Sequence, residues 1–478
     1  MISDTQLNAI VDRVVAKIAG DDKQNSTPPN PVQAISREPK KPINKLGAFP
    51  DIDSALAAAE KAYWEYKNTP IKQRNKFIEA IREICMENLE TISRLAVEET
   101  KMGRYEDKIV KNRLAISKTP GVEDLEPLTY TGDDGLTLFE RAPWGVVGSI
   151  TPCTNPTETI ICNGIGMIAA GNAVTFNVHP TAKNTSIFVI DLLNKAILSE
   201  GGPANLFTTI TNPTIQSAQD LMKHPKVKLL VVTGGPAVVD AAMKSGKKVI
   251  GAGPGNPPVV VDDTADIDKA AKDIVTSAST DNNIICVIEK EIIATKGIAD
   301  KLKEALVKHG AYEMSQYQAK RLEKIIIDGK YPNKKYVGKD VQVILDDIGV
   351  KVESNKKMAF AEVSKDHPFA TVEMLMPVLP FIRVKDIDEA IETAYELEQG
   401  CFHTSVIHSK NIDHMHKMAC KMNTSIFVKN GPALAGLGIQ GEGPTSFTIA
   451  SPTGEGVTTA RHFTRTIKCV LSGHFRIV

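Results

Sequence analysis

Short β-branched runs alternate with helical patterns along most of this chain, and that alternation limits the possible fold more than any other feature. VVGSI (146–150), AVTFNV (173–178), LLVVT (229–233) and PVVVD (258–262) are apolar throughout and bounded by Gly and Pro. Helical patterns near 157–170, 184–198 and 236–245 separate them. Such strands, joined by helices, predict parallel sheets covered on both faces. A second series runs from about 264 to 448, with helices near 266–279 and 386–398 and strands at IEKEIIAT (288–295) and TSIFVKN (424–430). Residues 51–66 and 72–101 read as long helices, rich in Ala, Glu, Lys and Ile. A chain of 478 residues exceeds what one core holds, so two or three domains are expected.

The beginning of the chain differs from this body. Leu7, Ile10, Val11, Val14, Val15 and Ile18 recur at helical spacing, and Gly20 follows as a C-cap. Residues 21–44 then read as a linker, with Pro28, Pro29, Pro31, Pro39 and Pro42 among polar residues. A short amphipathic helix on such a leash cannot bury its stripe alone. It either packs on its own body or recruits another protein; its polar face is not basic enough for a membrane surface.

Lys+Arg and Asp+Glu both number 57, a balance that argues against nucleic acid as a partner. The seven cysteines are scattered without a CxxC pair, which fits a reducing compartment and neither a disulfide framework nor a zinc site. No cluster has metal-ligand spacing, so no metal is expected. No apolar run approaches the ~20 residues of a membrane span, and no secretory leader opens the chain. A soluble, cytoplasmic protein is the expectation.

Several segments could carry chemistry. Cys286, in DNNIICVIEKE, stands directly ahead of a strand-like run. A lone cysteine beside isoleucines reads first as a core residue, but the polar approach of Asp281, Asn282 and Asn283 sets it apart from the other six. Cys85 and Cys469 read as packing residues, and Cys153 as one that could line a site. Asn155, in TPCTNPTETI, falls between a strand and a helix, where open α/β sheets place ligands. Its amide could donate to a developing oxyanion, or the residue could simply form a turn before Pro156. Thr233, Gly234 and Gly235 lie between a strand and a helix N-terminus, where a backbone can approach a phosphate. GAGPGNPP (251–258) is a tightly specified loop without a proton-transferring side chain. Glu373, among apolar residues, could grip a ribose diol or sit exposed at a strand end. His403 reads as a satisfied core histidine, whereas His179 and Lys183 could contact a nucleotide.

These pieces, in this order, resemble the aldehyde dehydrogenase superfamily over about residues 45–470, and within it the CoA-acylating propionaldehyde and acetaldehyde dehydrogenases of bacterial microcompartments. The closer resemblance is carried by KNRLAISKTPGVEDL (111–125), TNPTETI (154–160), TGGPAVVDAAMKSGKKVIGAGPGNPP (233–258), DNNIICVIEKE (281–291), SIFVKNGP (425–432) and ASPTGEGVTTARHFTR (450–465).

The resemblance implies an α/β fold of two Rossmann-type αβα domains with a small oligomerisation flap. The NAD-binding domain would span 45–253, interrupted by a flap segment at 126–144. The catalytic domain would span 254–448, and the second flap segment 449–478. It implies Cys286 as the catalytic thiol, Asn155 as the oxyanion amide, Glu373 on the nicotinamide ribose, and Thr233, Gly234 and Gly235 under the pyrophosphate. Residues 1–20 resemble an encapsulation peptide that docks on shell proteins. NAD and coenzyme A would be the co-substrates and a short-chain aldehyde the substrate. A homodimer or homotetramer in the microcompartment lumen would be the working form.

Two departures from the wider superfamily stand out. Gly251 occupies the position of the glutamate that activates water in hydrolytic members. Asn177 stands where many members hold a lysine on the adenine ribose. The competing readings are a hydrolytic aldehyde dehydrogenase, an acyl-phosphate reductase and a non-catalytic shell-associated protein.

Overall fold

The computed structural model describes residues 45–477; the expected N-terminal helix and linker lie outside the described residues. Two parallel sheets organise the body. The first has six strands in the order Ala48–Phe49, Phe207–Ile210, Ala173–Asn177, Val146–Ile150, Val227–Thr233 and Lys248–Ala252. Every neighbouring pair in it is parallel. The chain winds outward from Val146–Ile150 in one direction and from Val227–Thr233 in the other, so the switch point lies between these two strands. Val146–Ile150 and Ala173–Asn177 are buried at every residue, as expected for strands with helices on both faces.

The second sheet has seven strands, also parallel. Their order is Ala311–Glu313, Met358–Glu362, Val378–Val384, Glu291–Thr295, Pro258–Val261, Thr404–His408 and Ile426–Lys429. One hydrophobic core runs through both sheets, from Leu56 and Ile78 to Phe381 and Phe463. Helix Pro156–Ala169 is buried along its whole length. Gly166 permits this, because a Cβ there would come within 2.9 Å of the Phe463 ring. A third, antiparallel sheet joins Leu128–Gly132 and Gly135–Pro143 to Thr464–Ser472, two segments far apart in sequence.

Three expectations need correction. Residues 72–101 form two helices, Ile71–Glu87 and Leu89–Thr100, because Asn88 leaves helical geometry at φ −99 and ψ 11. The strand expected at 288–295 begins only at Glu291, since residues 286–287 form a turn and residues 288–290 an irregular lead-in to the strand. Cys85 is buried as expected, but Cys469 is exposed. It lies on Thr464–Ser472, whose residues, apart from half-buried Thr464, are all exposed.

Candidate active site

The carboxyl edge of the six-stranded sheet carries most of the predicted nucleotide-side residues. Asn155 is the N-cap of helix Pro156–Ala169, where Pro156 supplies the first-turn φ and loses no needed donor. Thr233 ends its strand and its hydroxyl meets that of Thr448 at 2.8 Å. Gly235 caps helix Pro236–Met243, which has no side-chain cap hydrogen bond, and a Cβ on Gly235 would meet nothing within 4 Å. An uncapped helix N-terminus beside open space fits a dinucleotide pyrophosphate. The Gly234 N–H, however, donates to the Ala252 carbonyl at 3.1 Å, so its share of the turn is structural. Gly251 is buried in its strand and donates its N–H to the Thr453 hydroxyl at 3.0 Å. His179 accepts from the Thr181 N–H at 3.2 Å and Lys183 donates to Asn212 at 3.1 Å, both near the end of Ala173–Asn177. Asn177 is buried and its side-chain oxygen accepts from Ser217 at 2.6 Å.

The amino edge of the seven-stranded sheet carries the thiol. Cys286 is half-buried in the segment before Glu291–Thr295, after three consecutive left-handed residues: Asp281, Asn282 and Asn283, with φ 49, 54 and 65. Each such residue without a glycine costs about 1–2 kcal/mol, so neighbours must hold the turn. Asn282 donates to the Gly338 carbonyl at 3.0 Å, and Asn283 donates to the carbonyls of Ala278 and Glu289 at 2.7 and 3.0 Å. The buried Lys290 ammonium donates to Asn283 O, Asn283 Oδ1 and Ile285 O at 2.7, 2.6 and 3.1 Å.

Burial shapes the ionisation of this edge. It pushes the Cys286 thiol up to about 12; Glu373 adds to the rise and Lys290 opposes it. It pushes Lys290 down to about 8 against the pull of Glu373 and Cys286. Burial likewise raises Glu289 to about 7, lifts Glu291 well above the usual carboxylate range and raises Glu373. Glu373 is half-buried, and its Oε1 accepts from the Gly255 N–H at 3.4 Å. His403 is buried and held neutral, pushed down to about 3. Its Nδ1 meets the Thr404 hydroxyl at 2.9 Å, and among the described residues its Nε2 has no partner. A Cβ on Gly255 would fall 2.8 Å from the His403 ring and 2.9 Å from the Cys286 carbonyl oxygen.

The two edges meet through residues that sequence reasoning missed. Lys108 and Lys111, on helix Tyr105–Lys118, are fully buried. The Lys111 ammonium lies 2.5 Å from Asn155 Oδ1, 2.5 Å from Asp281 Oδ2 and 3.2 Å from Glu158 Oε1. The Lys108 ammonium lies 2.7 Å from the Thr154 carbonyl and 2.9 Å from Asp281 Oδ2. Lys108, Lys111, Asn112 and Ala115 share one inward helical stripe at i, i+3, i+4 and i+7, a signal present in the sequence but hidden by the usual exposure of lysine. Cys153 is half-buried, and burial raises its thiol. Among the described residues no three His, Cys, Asp or Glu side chains gather as a metal site, and no helix is long and apolar enough to cross a membrane.

The chain can be compared with known proteins on this geometry. The acetylating acetaldehyde dehydrogenase EutE of Salmonella typhimurium is 49% identical over 450 residues, covering 93% of this chain and 96% of that protein. A Rhodopseudomonas palustris propionaldehyde dehydrogenase, solved with bound CoA and an acylated cysteine, is similar at TM-score 0.89 and 48% identity, over 90% of this chain and 99% of that one. A propionaldehyde dehydrogenase from the Clostridium phytofermentans fucose utilisation bacterial microcompartment gives TM-score 0.90 and 47% identity, over 91% of this chain and 100% of that one. The aldehyde dehydrogenase family model matches residues 44–440. The fold is thus shared with solved relatives along nearly the whole described body, and the chain belongs to the aldehyde dehydrogenase family.

Proposed function

We propose that the protein oxidises a short-chain aldehyde, acetaldehyde or propionaldehyde, with NAD and coenzyme A to acyl-CoA and NADH, through a thioester on Cys286. The observation that supports this best is the meeting of the two edges: Asn155 and the turn ahead of Cys286 share one buried ammonium. Cys286 releases its proton to solvent and its sulfur bonds to the carbonyl carbon, while the carbonyl electron pair moves to oxygen. Asn155 Nδ2 and the Cys286 N–H donate to that oxyanion; one such donor is worth on the order of 3 kcal/mol. The oxyanion then re-forms the carbonyl and expels a hydride, for which bound NAD is the acceptor, leaving an acyl thioester. The CoA sulfur bonds to the acyl carbon as the bond to Cys286 breaks, and the CoA thiol proton passes to the Cys286 sulfur. Thiol–thioester exchange is nearly isoenergetic, so proximity matters more there than a strong base.

Thr233, Gly235 and the start of helix Pro236–Met243 would hold the pyrophosphate, and Glu373 the nicotinamide ribose. Gly251, which by resemblance stands where hydrolytic members carry the water-activating glutamate, has no side chain to play that part, and its absence would favour transfer to CoA over hydrolysis. The antiparallel sheet exposes Leu128, Tyr130, Ile467, Val470 and Leu471, which supports a homodimer or homotetramer closing over it. Residues 1–20 would dock the enzyme on shell proteins in a microcompartment lumen. The test is a series of C2 to C6 aldehydes with NAD or NADP, with CoA present and omitted, reading NADH (or NADPH) and the acyl product. Acyl-CoA from the C2 to C4 members is expected. Free acid formed as fast without CoA would mean that Glu373 or another group drives hydrolysis, and the reading would fall.

A further inference from the structure

An oxyanion donor is useful only if its amide is held the right way round, and a free asparagine can flip. At Asn155 the orientation is fixed by chemistry. An ammonium donates three hydrogen bonds and accepts none, so the Asn155 atom 2.5 Å from Lys111 Nζ must be oxygen. With the oxygen engaged, Nδ2 points the other way, where the only described partner is the Thr154 hydroxyl at 3.3 Å.

The same ammonium reaches the opposite edge. Lys111 Nζ has three N–H groups and three oxygen neighbours: Asn155 Oδ1, Asp281 Oδ2 and Glu158 Oε1. Asp281 opens the left-handed run that presents Cys286. Its Oδ1 accepts from the Arg104 N–H at 2.9 Å, and its own N–H donates to Asp107 at 2.8 Å. Lys108, Lys111, Asp281 and Glu158 are all fully buried, two basic side chains against two acidic ones, so these four balance in formal charge.

We propose that Lys111 is a positioning residue, one ammonium that clamps the Asn155 amide oxygen and the Asp281 carboxylate together and so sets the amide nitrogen and the Cys286 sulfur in one register. The inference rests on Asn155 being the oxyanion donor. Lys111 itself touches no reacting atom; it acts through Asn155.

The test is a double-mutant cycle on the full chain, reading the rate of first-turnover NADH formation from propionaldehyde together with kcat and KM. Lys111→Met is paired with Glu158→Gln, so that the buried set stays neutral, and Glu158→Gln alone is the reference. In the Asn155 background the pair is expected to slow the first turnover about 100-fold with aldehyde KM unchanged, the cost of losing one oxyanion donor. In the Asn155→Ala background the same pair is expected to change the rate less than about threefold, because the amide is gone and Lys108 and the Arg104 N–H still hold Asp281. If the paired variant does not fold, Lys111→Arg carries the same cycle, with its loss expected only where Asn155 is present. Equal losses in both backgrounds, or a loss confined to KM, would overturn the role of Lys111 while leaving Asn155 in place. Wild-type turnover in Asn155→Ala alone would instead overturn the reading of Asn155.

Discussion

The two edges that form the site are built from different materials. The carboxyl edge of the six-stranded sheet offers small residues and backbone: Thr233, an open Gly235 and a helix start without a side-chain cap. The amino edge of the seven-stranded sheet offers buried titratable groups: Glu289, Lys290, Glu291 and a neutral His403, in the segments that flank a half-buried thiol. A surface that receives a ligand of fixed shape needs space and donors, which glycine and a helix terminus provide at little cost. A surface that must hold a reactive sulfur behind a left-handed turn needs hydrogen-bond partners for the buried side chains of that turn. The first edge should therefore tolerate small changes, and the second should not.

Alanine at two glycines makes that contrast measurable, and the larger effect belongs to Gly255. Its Cβ would stand 2.8 Å from the His403 ring and 2.9 Å from the Cys286 carbonyl oxygen, and the second of these is backbone. Either the imidazole or the peptide carrying the thiol must move. Overpacking of this kind costs about 1–3 kcal/mol in stability, and a shift of about 1 Å at reacting groups costs on the order of 100-fold in rate. Gly255→Ala is expected to remain folded with kcat lowered to that extent. A kcat within twofold of wild type would show that the thiol edge is as forgiving as the other.

The charge at the thiol edge also sets how Cys286 responds to pH. Burial, with Glu373 adding to it, holds the thiol up at about 12, so the free enzyme carries almost no thiolate near neutrality. A raised thiol pKa means that the reactive fraction grows as pH rises toward that value. Alkylation by iodoacetamide, followed at the Cys286 peptide by mass spectrometry, is expected to speed up about tenfold per pH unit from 7 to 10 without levelling. A plateau by pH 9, where an ordinary thiol ionises, would mean that Lys290 outweighs burial and Glu373.

The same contrast governs what could be read from the amino acids. Strands buried on both faces, such as Val146–Ile150 and Val227–Thr233, announce themselves as apolar runs. The amphipathic helices Gln316–Ile326 and Ile412–Met422, and the strands Met358–Glu362 and Thr404–His408, escaped notice within a less regular pattern. At the site, Thr233–Gly235 was legible because its elements adjoin in sequence. Cys286 and Asn155 were candidates that the resemblance raised, since a cysteine among isoleucines and an asparagine before proline each have commoner explanations. Lys108 and Lys111 were legible only as part of a helical stripe that the usual exposure of lysine hides. Their partners, Asp281 and Asn155, lie 173 and 44 positions away from Lys108 and Lys111 respectively, and only the assembled fold shows why two lysines are buried. Cys469 failed for the opposite reason: it reads as core on a strand that this chain alone leaves open.

The smallest expected effect, at Gly235, is the sharper half of the glycine pair. Its φ of −67 is one that any L-residue adopts, and a Cβ there would meet nothing within 4 Å. Helix Pro236–Met243 keeps its start, because Pro236 and not Gly235 supplies the first-turn geometry. Gly235→Ala is therefore expected to leave thermal stability and kcat unchanged, the added methyl costing only room in front of the helix. If the pyrophosphate lies there, that methyl meets it and KM for NAD rises about tenfold or less, with KM for the aldehyde unmoved, a split that isothermal titration with NAD checks independently. An NAD affinity equal to wild type would mean that the dinucleotide passes elsewhere along this edge, and the division of labour between an accommodating edge and a charged one would lose its first member.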